Sequence, residues 1–182
     1  MWTRELLVSH VAAGKPVDFL FFWGHTPKAQ DAVDASCLSQ WFPRPFEHEG
    51  THYATAEHWM MASKARLFGD GDALAQVLGP TTPAEAKAIG RTVKDYDDDA
   101  WSRARFSAVL QGNVAKFGAH ADLRAFLVGT GTKVLVEASP RDCIWGIGMG
   151  ASNDSASIPA KWRGQNLLGF ALMEARRQLG GE

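Results

Sequence analysis

Residues 55–68 read as a helix whose apolar face carries two charges, and every fold open to this chain has to accommodate them. The stretch is Thr55-Ala56-Glu57-His58-Trp59-Met60-Met61-Ala62-Ser63-Lys64-Ala65-Arg66-Leu67-Phe68. At 100° per residue, Glu57, Met60, Met61, Lys64, Ala65 and Phe68 share one broad stripe. Met60, Met61 and Phe68 make that stripe the face that seeks the interior. Glu57 and Lys64 go inward beside them, and a buried charge without a partner is expensive. Two readings stand open, a structural ion network and a reaction site. Seven residues of helix put the two groups about 10 Å apart along the axis. That is too far for an easy direct bridge, so a ligand or a third residue belongs between them.

The rest of the chain is punctuated by clear local signals. Residues 17–23 form a short run of β-formers and read as a buried strand. Residues 24–40 are polar and irregular, a surface loop. Pro43 and Pro45 exclude a regular helix or a central strand at 41–46. Glu49-Gly50 is a turn, and a short extended piece, 52–54, leads to Thr55 as a helix cap. Helices are expected from Asp70 to a stop at Gly79, and from the capping box Thr82-Pro83-Ala84-Glu85, with proline at the first helical position. The longest helix starts at the acidic 97–99 and runs to about Phe117, closed by Gly118. Its core stripe is Phe106, Val109, Leu110, Val114 and Phe117. A short helix over 120–128, a strand over 133–137 and a glycine- and serine-rich loop over 146–164 follow. A last helix over 166–179 is closed by Gly180-Gly181. The fold class is α+β, a mostly helical single domain over 1–182, with its core at about 17–179, around a few short strands.

Composition narrows the function. A net charge of −1 argues against a broad DNA-wrapping surface, which needs an excess of Lys and Arg. It leaves room for a pocket that takes one nucleotide. Cys37 and Cys143 are too few for a disulfide framework or a cysteine-rich zinc site, and a reduced, cytoplasmic setting fits. No apolar run approaches the ~20 residues of a membrane span. The six histidines are read as lacking ligand spacing of the HxxxH kind, so neither a metal nor a cofactor is expected.

Three further segments carry candidate chemistry. Trp101 lies roughly 150° from the centre of its helix's core stripe, so it packs under a loop or serves as a stacking platform for a planar ligand. Glu137 ends a strand, and Asp142 and Trp145 follow a Ser-Pro turn, where rigid scaffolds present reactive groups. Asp142 as a turn-capping side chain is the plainer reading. Glu137 equally suits a surface position or a partnership with Arg141. Gly146 and Gly148 allow close backbone approach to a ligand. Cys143 is expected to be a buried, inert thiol. Asn166 suits a cap on the final helix, while the amides there and Arg163 also suit phosphate.

Taken together, Thr55-Ala56-Glu57-His58-Trp59-Met60-Met61-Ala62-Ser63-Lys64, Gly90-Arg91, Trp101, Lys116-Phe117, Leu135-Val136-Glu137, Asp142 with Trp145-Gly146, and Asn166-Leu167-Leu168-Gly169 resemble the NADAR superfamily of N-glycosidases. The pieces occur in the family's order and cover about 19–179. The chain departs from the pattern at an insertion over 24–37, at Ser39-Gln40-Trp41, and in a longer loop over 149–163, and all three are expected to border the pocket. The resemblance implies hydrolysis of an N-glycosidic bond between a ribose phosphate and a heterocycle. Two substrate classes follow, ADP-ribosylated guanine in DNA or RNA, which the altered loops favour, and early riboflavin-pathway intermediates. A non-catalytic ADP-ribose or nucleotide reader is the competing class.

On this reading Glu57 and Asp142 protonate the leaving base and stabilise the sugar cation, in either order. Lys64 anchors phosphate or attacks C1′ to form an imine. Trp101 and Trp145 stack on the heterocycle, Asn166 and Arg163 orient ribose or phosphate, and Glu137 and Gly146 complete the substrate-binding set. The expected partner is an ADP-ribose-containing nucleotide or modified nucleic acid gripped locally, with no membrane contact. A toxin–antitoxin-type association stays undetermined.

Overall fold

Two short parallel strands, β1 (Phe19–Phe22) and β4 (Val134–Glu137), meet at the centre of the protein in register from Phe19↔Val134 to Phe22↔Glu137. The computed structural model describes residues 1–29, 32–79 and 82–180. A parallel pair needs a long crossover, and nearly all remaining elements lie in it. Strands β2 (Phe46–His48) and β3 (Thr51–Tyr53) form an antiparallel hairpin. Glu49 and Gly50 turn it with φ of 50° and 71°, the doubly positive geometry that suits the twist of a tight hairpin. Against the expectation, His48 and His52 do have HxxxH spacing, but they fall on opposite strands and at different register positions. Among the described residues no His, Cys, Asp and Glu cluster has the make-up of a metal site, and no helix is long and apolar enough to cross a membrane.

Helices α2 (Ala56–Leu67), α3 (Gly71–Leu78) and α4 (Pro83–Arg91) pack on one another, and α2 lies along the long α5 (Asp98–Ala119). Helix α6 (Ala121–Gly129) follows α5, and α7 (Leu167–Gln178) packs against both α5 and β4. The starts obey the sequence. Thr55 caps α2, Asp70 accepts from the Ala73 amide, Thr82 and Glu85 make a reciprocal capping box, and Asp97 accepts from the Ala100 amide. Val109, Phe117, Leu135, Val136, Phe170 and Leu172 are sealed in the core these elements share.

Several expectations are corrected. Helix α5 runs through Gly118 to Ala119, and extended His120 (φ −129°) ends it and opens α6. Its buried face includes Val109 and Phe117 but also Trp101, Gly112, Asn113 and Lys116, whereas Phe106, Leu110 and Val114 are half-buried. The reason is packing on two sides, since the polar flank of α5 lies against the segment 37–40. Within the expected loop 24–40, Ala35–Leu38 forms a 3-10 turn capped by Asp34. An unanticipated helix, α1 (Arg4–Ala12), buries just Leu7 and is tied down by Arg4 donating to the Pro159 and Ala160 carbonyls. Gly181, part of the expected final stop, lies outside the described residues.

Candidate active site

The C-terminal end of β4, one face of α2 and the start of α5 enclose a cavity of about 300 Å³. Glu57, Met60, Met61 and Lys64 line it from α2, Trp101 from α5, and Glu137, Asp142 and Trp145 from β4 and the loop beyond. The inward stripe of α2 therefore faces a hollow as well as a core. Glu57 and Lys64 make no ion pair within 4.0 Å among the described residues, and the space between them is open cavity.

Glu57 is 2% exposed. Its amide donates to the Gln40 carbonyl at 2.9 Å, while its Oε1 has no hydrogen-bond partner among the described residues. Burial pushes its carboxyl up to about 7, opposed by Lys87, Trp41 and Arg91 and reinforced by Asp142. Glu137 is neither a surface residue nor bound to Arg141. Its Oε2 is sealed from solvent and unpaired, and burial, with the charges of Asp142 and Glu57 adding to it, pushes its carboxyl up to about 8 against the pull of Lys87. Two carboxyls with raised affinity for protons thus face one hollow, the arrangement from which acid–base sites are made.

Asp142 does both things expected of it. Its Oδ1 accepts from the Ile144 and Trp145 amides at 2.8 and 2.7 Å, and the side chain still lines the cavity. Lys64 Nζ donates to the Gly90 carbonyl at 2.6 Å and sits 4.0 Å from the Tyr96 ring centroid. Desolvation lowers its proton affinity, partly offset by Asp98.

Three of the expected site residues lie outside the cavity lining. Asn166 is fully buried in the left-handed region (φ 56°) and makes no cap bond. Its Oδ1 accepts from the Glu137 amide and its Nδ2 donates to the Leu135 carbonyl, both at 2.9 Å. It fixes the end of β4 and, through it, Glu137. Gly146 is buried beside that strand, where an added Cβ would sit 2.8 Å from the Glu137 carbonyl oxygen. Arg163 is exposed, and its backbone rather than its guanidinium is engaged, by the Ile147 carbonyl. Cys143, expected buried, is exposed.

Other lining residues were given no role from the sequence, although Arg91 belongs to a segment that carries the family resemblance. Lys87 and Arg91 face the hollow from α4, with Lys87 5.9 Å from the Trp41 ring centroid. Their i, i+4 spacing on an amphipathic helix was the available signal. Gly90 between them has a steric reason, since a Cβ there would overlap the Met61 sulfur. Of the three departures from the family pattern, Ser39, Gln40 and Trp41 line the cavity. The 149–163 loop packs on α1 instead. The 24–37 insertion approaches through His25, whose ring is 5.7 Å from that of Trp41; residues 30 and 31 of it lie outside the described ones.

Fold and cavity together define a small α+β enzyme with a paired-carboxyl site. Residues 21–180 match the model of the NADAR domain, and the chain belongs to the NADAR family. An N-glycosidase of Acanthamoeba polyphaga mimivirus is 38% identical over 166 residues, 88% of this chain and 95% of that protein. N-glycosidase YbiA of Escherichia coli (strain K12) is 30% identical over 179 residues, 98% of each chain. The NMR structure of E. coli YbiA superimposes with a TM-score of 0.71 at 27% identity, covering 89% of this chain and 84% of that one. With such relatives the chain is a hydrolase of N-glycosyl bonds.

Proposed function

We propose that this enzyme releases a ribose phosphate from a ring nitrogen or amine of a heterocycle, and that its preferred substrate is ADP-ribosylated guanine in DNA or RNA. One observation carries the reading: Glu57 and Glu137 face a single tryptophan-walled cavity with unpaired carboxyl oxygens and raised proton affinity. Cleaving a C–N glycosidic bond builds positive charge on the sugar and negative charge on the leaving nitrogen. A shared proton near neutral pH supplies the acid for the second, and carboxylates stabilise the first. Glu137, its carboxyl raised by burial, donates to the leaving nitrogen. Glu57 accepts a proton from the attacking water, and Asp142, on the same cavity wall, faces the charge that develops on the sugar.

Lys64 offers a covalent route through the same site. Its desolvated amine attacks C1′ of the ring-opened ribosylamine, expels the heterocycle as its free amine, and leaves an imine that water hydrolyses. Trp101, Trp145 and Trp41 sandwich the heterocycle, and Lys87 and Arg91 take the phosphate. A paired target base has to leave the stack to enter. The altered Ser39-Gln40-Trp41 wall supports the guanine substrate. The volume of about 300 Å³, at the low end for ligand pockets, supports a ribosylaminopyrimidine phosphate of the riboflavin pathway as the second reading.

Mass spectrometry of products decides between them. Wild type and Lys64→Ala are incubated with an ADP-ribosylated guanine oligonucleotide and with a ribosylaminopyrimidine phosphate, with and without borohydride. Free ADP-ribose and restored guanine, lost in the variant, is the expected result, with borohydride trapping a sugar adduct on Lys64. Ribose 5-phosphate from the second substrate alone moves the enzyme to flavin intermediates, and no product from either refutes the proposal.

A further inference from the structure

Gln40 stands where this chain departs from the family pattern, and its side chain is held unusually firmly. The backbone around it is pinned by Lys116, a fully buried lysine whose Nζ donates to the Cys37 carbonyl at 2.7 Å and the Ser39 carbonyl at 2.9 Å. The Gln40 carbonyl in turn accepts from the Glu57 amide. Asn113, buried on α5, uses its Nδ2 twice, on the Val109 carbonyl at 2.8 Å and on Gln40 Oε1 at 3.0 Å.

Those two bonds fix an orientation that coordinates alone often leave open. The Val109 carbonyl can only accept, so Asn113 must present its nitrogen there. The same nitrogen then meets Gln40, so the oxygen of Gln40 must face Asn113. What remains of the pair is Asn113 Oδ1, on a residue outside the cavity lining, and Gln40 Nε2, a two-hydrogen donor on a residue 6% exposed. That donor has no hydrogen-bond partner among the described residues, and it belongs to a cavity-lining residue beside Glu57 and Trp41. Buried polar groups are nearly always paired, and one left unpaired calls for an explanation.

We propose that Gln40 is a specificity-determining residue, its Nε2 donating to a ring carbonyl oxygen of the substrate's heterocycle. The proposal rests on the N-glycosidase reading above and deepens it. A neutral amide donor beside an indole suits the edge of a planar base, whereas phosphate is better served by Lys87 and Arg91. Oxo-heterocycles, purine or pyrimidine, satisfy the donor; the same rings without the carbonyl leave it unpaired.

The experiment compares kcat/KM on an ADP-ribosylated guanine oligonucleotide with that on the matching 2-aminopurine conjugate, which lacks the carbonyl oxygen. A ribosylaminopyrimidinone phosphate and its deoxo analogue form the second arm. Wild type should prefer the oxo member by roughly 10- to 100-fold, the range expected when a buried donor is left unpaired. Gln40→Leu should bring that ratio close to one. Gln40→Glu keeps the bond to Asn113 but replaces the donor with an oxygen, and it should abolish or reverse the preference with the fold intact.

Equal losses on both members of a pair would reduce Gln40 to a structural residue, and a wild type without preference would overturn the proposal outright. Should wild type cleave none of the four substrates, the proposed function fails, and calorimetric binding of guanosine monophosphate against 2-aminopurine riboside monophosphate still decides. A preference for the first, lost in Gln40→Glu, keeps the assignment, and equal binding ends it.

Discussion

Replacing Glu57 by Gln should inactivate the enzyme and, above neutral pH, make it more stable. Glu57 is 2% exposed, so its proton affinity is set by the protein rather than by solvent. Its carboxyl rises from an ordinary 4.5 to about 7, first through burial, then through Asp142, against Lys87, Trp41 and Arg91. A folded-state value above the unfolded one means that the folded protein binds the proton more tightly. The associated stability is complete below pH 4.5 and is lost as pH rises through about 7. At ~1.4 kcal/mol per pH unit, that loss is about 3 kcal/mol. Glutamine has the shape of protonated glutamate and does not titrate. The difference in unfolding free energy, variant minus wild type, should therefore grow by about 3 kcal/mol between pH 4.5 and 8. For a domain of this size that is roughly 6–12 °C in Tm. Thermal unfolding followed by circular dichroism at pH 5, 6, 7 and 8 measures it, and taking the difference cancels every group that does not interact with the Glu57 charge; among those that do is Glu137. That group has one less neighbouring charge in the variant, so its own loss of stability moves to lower pH. A difference that stays flat across this range refutes the account of Glu57 as a carboxyl raised by burial.

Three further substitutions read other parts of the site. Lys116→Met removes a buried amine held down to about 7 by desolvation; a depressed lysine gains stability for the wild type as pH rises from about 7 towards 10.5, so urea midpoints should show the variant losing ground over that window. Asn166→Ala leaves the Glu137 amide and the Leu135 carbonyl unpaired and puts alanine at φ 56°, which should cost about 2–5 kcal/mol in denaturant titration and lower kcat as Glu137 loosens. Gly90→Ala places a Cβ on the Met61 sulfur; because that side chain is flexible and alanine favours helix by ~1 kcal/mol, stability should hardly change while KM rises several-fold as Met61 swings into the cavity.

What was legible in the sequence was local. Thr55, Asp70 and the Thr82–Glu85 box announce helix starts because the cap and the amide it serves lie three residues apart. Glu49-Gly50 announces the hairpin because two positive φ values are a property of the turn itself. The inward placement of Glu57 and Lys64 also followed from periodicity alone. Legibility failed where a side chain is used at long range. Asn166 looks like a cap but bonds residues 29 and 31 positions away. Lys116 looks like a solvated helix charge but reaches 79 and 77 positions back. Gln40 carries no pattern at all, and its meaning comes entirely from Asn113. Helix α1 was missed because it contributes one fully buried residue, too little for a periodic signal.

The same long-range contacts explain how the site tolerates two desolvated acids. The backbone of each is fixed, the Glu57 amide by the Gln40 carbonyl and the Glu137 amide by Asn166, and the Glu57 carboxyl takes one further bond, from Trp41. Both carboxyls are thereby positioned while an oxygen of each stays unpaired. A structural role would call for the opposite, a carboxyl tied to a cation and hydrogen-bonded throughout. Folding gains nothing from leaving such groups raised and unsatisfied, so the stability they cost at neutral pH is a measure of what the site retains them for. If Glu57→Gln and Glu137→Gln both stabilise the protein at pH 8 and both abolish turnover, the cost and the chemistry lie in the same two atoms. If either variant is stabilised yet fully active, that carboxyl is a bystander, and the acid–base assignment passes to Asp142 and the remaining glutamate.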